Sequence, residues 1–232
     1  MALMEVLPSH IVPVRLMFRI KPLQTLGPRS FSGKQQVGVT DSGYWVASLA
    51  EFPIVHRDQI LDWRGIVASL EGMAGDLVVG PFDDLRAPTF GSFPPVITGI
   101  PHSDGAKFSD GSGYSQSTIR ITLAGDLPLR ATSAVVTVHQ AGALRRGMYF
   151  SVYDGLRPSL HIITKTPEIS GDQATIQFRP PLRFPVKSGE TVDFATPKAV
   201  MNLASSDEGA LDLDMGRWGR PSLELVESWN GL

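Results

Sequence analysis

One amphipathic segment, residues 57–73, constrains the fold of this chain more than any other feature. Its apolar residues recur every three or four positions, which predicts a helix with one apolar face: Ile60, Trp63, Val67, Leu70 and Met73. Asp58 lies near the predicted start, and Gly72 and Gly75 suit the left-handed exit of a helix. A single amphipathic helix cannot bury its own apolar face, so we expect strands to cover it. The chain is therefore predicted to be mainly β, with one central α-helix.

Composition narrows the class of protein further. The chain has 232 residues, and its apolar fraction of 42% is sufficient for a hydrophobic core. The formal net charge of −2 provides no overall positive field to attract nucleic acid or anionic lipid. The absence of cysteine excludes disulfides, thiolate catalysis and cysteine-type zinc sites. The start of the chain lacks the basic residues of a secretory signal, and no apolar run reaches the roughly 18 residues of a membrane span.

The first part of the chain reads as strands on either side of the helix. Residues 11–20 are predicted to be extended, and residues 37–39 and 44–49 are predicted to form a hairpin around Asp41-Ser42-Gly43. A short buried strand, 77–82, follows the helix. Residues 83–117 are rich in proline, glycine and serine, which indicates a boundary and a long loop.

Residues 118–195 read as a second unit made of short strands. Glycine-containing separators recur about every 8 to 12 residues, which is typical of a small barrel of about five strands in the OB or SH3-like class. Near the end of the chain, Leu223 and Leu225 alternate with Glu224 and Glu227, which predicts one more half-buried strand. We expect this strand to return to the first domain. The predicted domains are thus 1–90 with 196–232, a loop or arm at 91–117, and an inserted barrel at 118–195.

No catalytic, cofactor-binding or metal-binding residue is predicted. The histidines are scattered and form no H-E-x-x-H motif, and the chain has neither G-x-S-x-G nor a phosphate-binding P-loop. We interpret His139 and His161, which lie in predicted strands, as structural sheet residues. The sequence therefore does not indicate an enzyme.

Two acidic clusters nevertheless have alternative interpretations. The first lies in the glycine-rich loop and could wrap a calcium ion, although aspartate and glycine are also ordinary turn residues: His102, Asp104, Ser109 and Asp110. The second could bind metal or form an acid–base pair, but a solvated acidic loop is the simpler interpretation because no basic partner adjoins it: Asp207, Glu208, Asp212 and Asp214. We favour the turn and loop interpretations.

A third cluster lies in the predicted barrel, where arginines alternate with aromatic residues. Such a pattern occurs in nucleic-acid grooves, but aromatic residues in short strands are also what a small barrel core requires: Tyr149, Phe150, Phe178, Arg179 and Arg183. With a net charge of −2, the barrel core is the favoured interpretation and no sequence-specific nucleic acid is expected.

The order of several segments resembles the N-terminal domain of distal tail proteins of tailed bacteriophages and related minor tail proteins. These segments are SFSGKQQVG, then YWVASLAEFP, then RDQILDWRGIVASLEGMAGDLVVGPFD. The later segments LRRGMYFSVYDGL and SLELVESW are similar to the continuation of such virion structural proteins. The resemblance implies a tail-tube-like β-sandwich with a flanking helix and an inserted OB-like barrel.

The same resemblance implies function and location. It implies a hexameric ring at the distal end of the phage tail, which joins the tail tube to the tip or baseplate. The implied partners are further copies of the chain, the tail tube protein, tail hub or baseplate proteins and the tape measure protein. The implied location is the virion, after synthesis in the host cytoplasm, with no membrane anchor, no cofactor and no catalytic residues. In such a ring, residues 83–117 are expected to reach an adjacent subunit or ring.

Two rival functions remain open at this point. A carbohydrate-binding module would use exposed aromatic residues as stacking platforms, and Trp218 or Tyr114 would supply them. A hydrolase would use the Asp212 and Asp214 pair. The first predicts glycan binding that is lost with Trp218→Ala, and the second predicts activity that is lost with Asp214→Asn.

Overall fold

The structure, a computed structural model, describes residues 4–39, 43–83, 85 and 87–229. It is mainly β with one α-helix, as predicted. The helix, α1, spans Arg57–Ser69, and a short 3-10 helix follows at Gly72–Ala74. The strands, numbered in chain order, are β1 (Met4–Val6), β2 (Arg15–Lys21), β3 (Gln24–Arg29), β4 (Gln35–Val39), β5 (Tyr44–Ala50), β6 (Asp76–Val79), β7 (Val96–Ile100), β8 (Tyr114–Ser117), β9 (Arg120–Leu123), β10 (Ser133–Gln140), β11 (Tyr149–Asp154), β12 (Arg157–Ile163), β13 (Glu168–Ser170), β14 (Gln173–Arg179), β15 (Ala199–Leu203) and β16 (Leu223–Glu227).

The chain divides into two compact units, residues 1–82 with 199–232 and residues 83–198. The first contains a six-stranded sheet in the order β1-β6-β15-β16-β5-β2. β1 pairs with β6 in parallel, and the other neighbours are antiparallel. Alternation along each strand places Leu49, Leu223 and Leu225 on one buried face, where they meet across the β5–β16 pair. The strand near the end of the sequence, β16, therefore lies in the middle of this sheet.

Helix α1 covers the buried face of this sheet. A Cβ built on Gly209 would lie within about 3 Å of both Val67 on the helix and Leu223 on β16, so these side chains meet at that loop. The ring of Trp63 packs against Phe52 with 4.9 Å between centroids, and both side chains are buried. The helix thus forms a layer of this unit against one face of the six-stranded sheet.

The helix is shorter than the predicted 57–73. It ends at Ser69 because Glu71 and Gly72 adopt positive φ angles of 47° and 71°, and the amide of Gly75 returns to the carbonyl of Leu70 at 2.8 Å. Met73 therefore lies beyond the helix and is 55% exposed, so its assignment to the buried face was wrong. At the other end, the side-chain oxygen of Gln59 accepts bonds from the amides of Val55 and His56 and so caps the first turn.

The predicted hairpin around residues 41–43 is wrong in its pairing. Strand β4 pairs with β3, and β5 pairs with β2, so the two ladders run one after the other along a single long arm. The turn of this arm lies at residues 30–34, where the amide of Ser30 donates to the carbonyl of Lys34 and Gly33 has a φ of +77°. Asp41 and Ser42 of the predicted turn lie outside the described residues. Residues 30–34 and 41–43 both contain serine and glycine, which favour turns, so the local sequence did not show which of the two is the turn of the arm.

The second unit contains a closed barrel. Its strands follow the order β11-β12-β14-β10-β9, with β13 added beside β14. Residues 190–193 close the circle, since Thr191 bridges to Thr122 on β9 and Asp193 bridges to Ser151 on β11. The interior is apolar and includes Phe150, Phe178 and Phe194.

The glycine-rich segment before the barrel is ordered as a second hairpin. Strands β7 and β8 pair in an antiparallel register that joins Val96 to Ser117 and Ile100 to Tyr114. Residues 91–117 were predicted to be a loop or arm, and the structure assigns them to the second unit as this hairpin. The unit boundaries lie at 82/83 and 198/199, whereas the sequence predicted that the first domain comprises 1–90 and 196–232. None of the helices formed by the described residues is long and apolar enough to cross a membrane.

Candidate functional site

The tip of the first arm, residues 24–39, presents apolar side chains to solvent. We call β3, β4 and their turn the distal hairpin. Leu26 lies opposite Val37 in its ladder, and the two side chains are 64% and 47% exposed. Phe31, in the turn, is fully exposed. A two-stranded hairpin is marginally stable in water by itself, and exposed apolar side chains along it favour contact with another surface.

The second hairpin carries a tandem repeat that the sequence analysis missed. Two consecutive six-residue units begin with an aromatic ring followed by Ser-Asp-Gly, at residues 102–107 and 108–113. In both, the first residue donates its amide to the carbonyl four residues later and accepts from the glycine three residues later. The signal that could have revealed it is the recurrence of Ser-Asp-Gly at a spacing of six.

The repeat brings three rings together. His102, Phe108 and Tyr114 stand six residues apart and pack edge to face, with centroids 4.7 to 5.2 Å from one another. The hydroxyl of Tyr114 lies 3.2 Å from Nδ1 of His102. Phe108 and Tyr114 remain 42% and 47% exposed. We call these residues the aromatic triad.

The aspartates of the repeat accept hydrogen bonds within its turns. Oδ1 of Asp104 accepts the amide of Ala106, and Oδ1 of Asp110 accepts the amide of Ser112, each at 2.9 Å. The bonds from Ser112 also hold the pKa of Asp110 below its ordinary value. Ser109 lies between the two aspartates as part of the second turn. Among the described residues, no group of three or more potential ligands is placed to hold a metal ion.

The second acidic cluster lies in an exposed loop of the first unit. Glu208 accepts the amide of Glu224 at 3.0 Å, and Asp207 accepts the hydroxyl of Ser206. Asp214 pairs its backbone with that of Trp218. These contacts are structural, and the side chain of Asp212 is exposed beside them.

The aromatic residues suggested for a nucleic-acid groove belong to the barrel core. Phe150 and Phe178 are 2% and 1% exposed and pack edge to face at 5.3 Å, so their faces cannot stack on bases. Burial and the nearby Asp83 raise the pKa of Tyr149, which is half-buried. Arg179 lies in a shallow polar cleft of about 540 Å³ with Lys165 and Gln177, whereas Arg183 is half-buried.

The histidines occupy separate environments. His10 contacts Asp62 at 3.1 Å, His56 precedes α1, and His139 contacts the hydroxyl of Thr122 at 3.0 Å. His161, on β12, is fully buried between Phe150 and Phe178, and its Nδ1–H donates to the carbonyl of Pro180 at 2.8 Å. His139 and His161 both lie in strands, as the sequence indicated.

One polar contact fixes the segment that closes the barrel. The hydroxyl of Tyr153 donates to Oδ2 of Asp193 at 3.2 Å, and the same carboxylate accepts the amide and the hydroxyl of Thr196. Burial and the Asp193 charge raise the pKa of Tyr153 strongly. The phenol therefore remains a hydrogen-bond donor at all moderate pH values.

The two candidate sugar platforms belong to different units. Trp218 is 43% exposed in a loop of the first unit, and Tyr114 is part of the aromatic triad in the second.

Comparisons with known proteins add no family assignment. A scan against protein-family models gives no match to this chain, and no curated protein matches it significantly.

Proposed function

We propose that this chain is a structural subunit of a ring at the distal end of a bacteriophage tail, where it links the tail tube to the tip or baseplate. Its partners would be five further copies of itself, the tail tube protein, the tail hub or baseplate proteins and the tape measure protein. The role is one of assembly in the virion and requires no catalysis and no cofactor. The proposal rests on the segment order that resembles distal tail proteins and on one structural observation.

That observation is the distal hairpin. Its apolar cross-strand pair, Leu26 and Val37, and the ring of Phe31 are all exposed, so the chain itself leaves them uncovered. Burying a leucine or phenylalanine side chain is worth about 1.5 to 3 kcal/mol, which is enough to stabilise the arm against a neighbouring subunit. In a ring, each copy contacts the next through a surface different from the one that it receives, and the exposed apolar side chains of the distal hairpin would supply one of these surfaces.

The test is the solution mass of the purified chain over a concentration series, measured by native mass spectrometry. Six copies of the 25.1 kDa chain give a ring of about 151 kDa. The double variant Leu26→Ser and Val37→Ser is expected to remain monomeric. The matched control is Leu156→Ser, because Leu156 is 83% exposed in a turn of the barrel. A wild-type chain that stays monomeric at every concentration, or a ring that the double variant still forms, contradicts the proposal.

A carbohydrate-binding module is the alternative function, and the aromatic triad is the observation that favours it. Exposed rings of Phe108 and Tyr114 on a projecting hairpin suit stacking against sugars. Glycan-array binding that is lost with Tyr114→Ala and kept with Trp218→Ala would support the triad as the site. The absence of any glycan binding would contradict this alternative and leave the ring proposal unaffected.

A further inference from the structure

A cleft in the first unit combines apolar walls with three arginines. It lies between helix α1 and the loop around Gly216, and its volume is about 470 Å³. The apolar lining comes from Val55, Ile60 and Leu61, and the charged lining comes from Arg57, Arg64 and Arg217. We call it the arginine cleft.

Two arginines and a leucine on one face of helix α1 line the cleft. Arg57, Leu61 and Arg64 are spaced by four and three residues, so they lie on one face of α1 with the leucine between the two arginines. This face is exposed to solvent, whereas the face that carries Trp63 is buried. Leu61 is 49% exposed and Val55 is 54% exposed, so the apolar part of the cleft is open to solvent.

The arginines of the cleft form no close contact with a carboxylate within the part of the chain that the structure describes. None of the side chains of Arg57, Arg64 and Arg217 takes part in an ion pair or a side-chain hydrogen bond there. The nearby carboxylate of Asp62 on the same helix is engaged by His10 at 3.1 Å, and the side chains of Asp212 and Asp214 do not line the cleft. Three like charges around one apolar surface repel one another, and an incoming carboxylate would relieve that repulsion.

We propose that the arginine cleft binds a peptide segment of a partner protein that carries acidic residues on both sides of an apolar side chain. The guanidinium groups of Arg57, Arg64 and Arg217 pair with the carboxylates, because the planar fork of arginine matches a carboxylate in a bidentate manner. Leu61 and Val55 receive the apolar side chain. A phosphate ligand would use the arginines but would leave this apolar surface unused, so the combination favours an acidic, partly apolar peptide.

The proposal can be tested with three fluorescein-labelled peptides and the full chain, by fluorescence anisotropy. The peptide GEELLEEG carries both features, GQQLLQQG keeps only the apolar residues, and GEESSEEG keeps only the charges. We expect GEELLEEG to bind most tightly, with an affinity that falls as salt is added. We expect the double variant Arg57→Gln and Arg64→Gln to weaken binding at least about tenfold, and Leu61→Ser to remove the preference for GEELLEEG over GEESSEEG.

A matched control separates the site from net charge. The double variant Arg145→Gln and Arg146→Gln removes the same charge from exposed positions in the other unit and is expected to bind GEELLEEG as the wild type does. Equal binding of GQQLLQQG and GEELLEEG, or equal binding by both double variants, would overturn the proposal. Tighter binding of tripolyphosphate than of GEELLEEG would assign the cleft to a phosphate ligand instead. A change in the solution mass of the chain on Arg57→Gln and Arg64→Gln would assign it to contacts between copies, and would likewise overturn the peptide assignment.

Discussion

The indole Nε1–H of Trp63 donates to the backbone carbonyl of Gly209 at 2.8 Å, across 146 positions of sequence. The ring is buried, and the bond satisfies the only polar atom that the indole brings into the core. Gly209 has a φ of +78°. This contact holds the loop before β16 against helix α1, and Gly209 supplies both the acceptor carbonyl and the positive φ of that loop.

Gly209→Ala should destabilise the first unit by about 2 kcal/mol or more. An added Cβ would lie 2.9 Å from Val67 and 3.1 Å from Leu223, and the backbone would be strained at this φ. Urea unfolding followed by tryptophan fluorescence measures the change. Gly216→Ala is the control, because its φ is +68° but no atom lies within 4 Å of the added Cβ. Equal losses for the two variants would show that backbone strain alone, and not the contact with the helix, sets the cost.

Lowering the pH should destabilise the barrel through His161. Burial lowers the pKa of this imidazole from 6.5 to about 4, so the unfolded chain takes up a proton that the folded chain excludes. The stabilisation is fully present above pH 6.5 and is lost as the pH falls towards 4, by about 3 kcal/mol in total. Chemical unfolding at a series of pH values measures this slope.

The slope should be absent in His161→Phe, which keeps a ring between Phe150 and Phe178 but cannot be protonated. His139→Gln should keep the slope, because His139 lies on an exposed part of β10. If wild type and His161→Phe lost stability in parallel between pH 6.5 and 4, another group would be responsible.

Asp76→Ala should cost about 3 kcal/mol of stability in the first unit. The carboxylate is fully buried on β6, and its Oδ1 accepts from Asn202 Nδ2 at 3.0 Å and from the hydroxyl of Ser228. Alanine would leave the buried hydroxyl of Ser228 and the half-buried amide of Asn202 without this acceptor, whereas Asp76→Asn keeps an oxygen there and should cost less. Thermal unfolding compares the two variants. An alanine variant as stable as the asparagine variant would exclude the acceptor as the reason.

Tyr114→Ser should loosen the repeat hairpin without unfolding the barrel. The phenol ring packs on His102 at 4.7 Å and on Phe108 at 5.1 Å, and its removal leaves two rings without their common neighbour. Faster amide hydrogen exchange at residues 102–113, with unchanged exchange in β10 and β14, is the expected result. Phe90→Ser is a control, since Phe90 is 45% exposed and outside the triad. Faster exchange throughout the barrel would show that the triad stabilises more than the hairpin.

The sequence by itself determined the features that depend on short spacings. The three-to-four-residue recurrence of Ile60, Trp63 and Val67 predicted helix α1, and the alternation of Leu223 and Leu225 with glutamates predicted β16, because side-chain direction follows the local backbone period. Alternation of apolar and polar residues at every second position likewise predicted the strands, and hence the mainly β class. Even the repeat of the second hairpin is visible in the sequence as two Ser-Asp-Gly triplets.

The tertiary structure decided which strands pair and which apolar residues remain exposed. Val37 and Leu49 read as parts of one hairpin, yet β4 pairs with β3 while β5 pairs with β2 and β16, because ladder partners are chosen by contacts between distant segments. Leu61 is apolar and would suit the core, but it lies on the solvent-exposed face of α1 between Arg57 and Arg64. Both the distal hairpin and the arginine cleft include apolar residues that lie outside the core, and only the packed chain shows which residues those are.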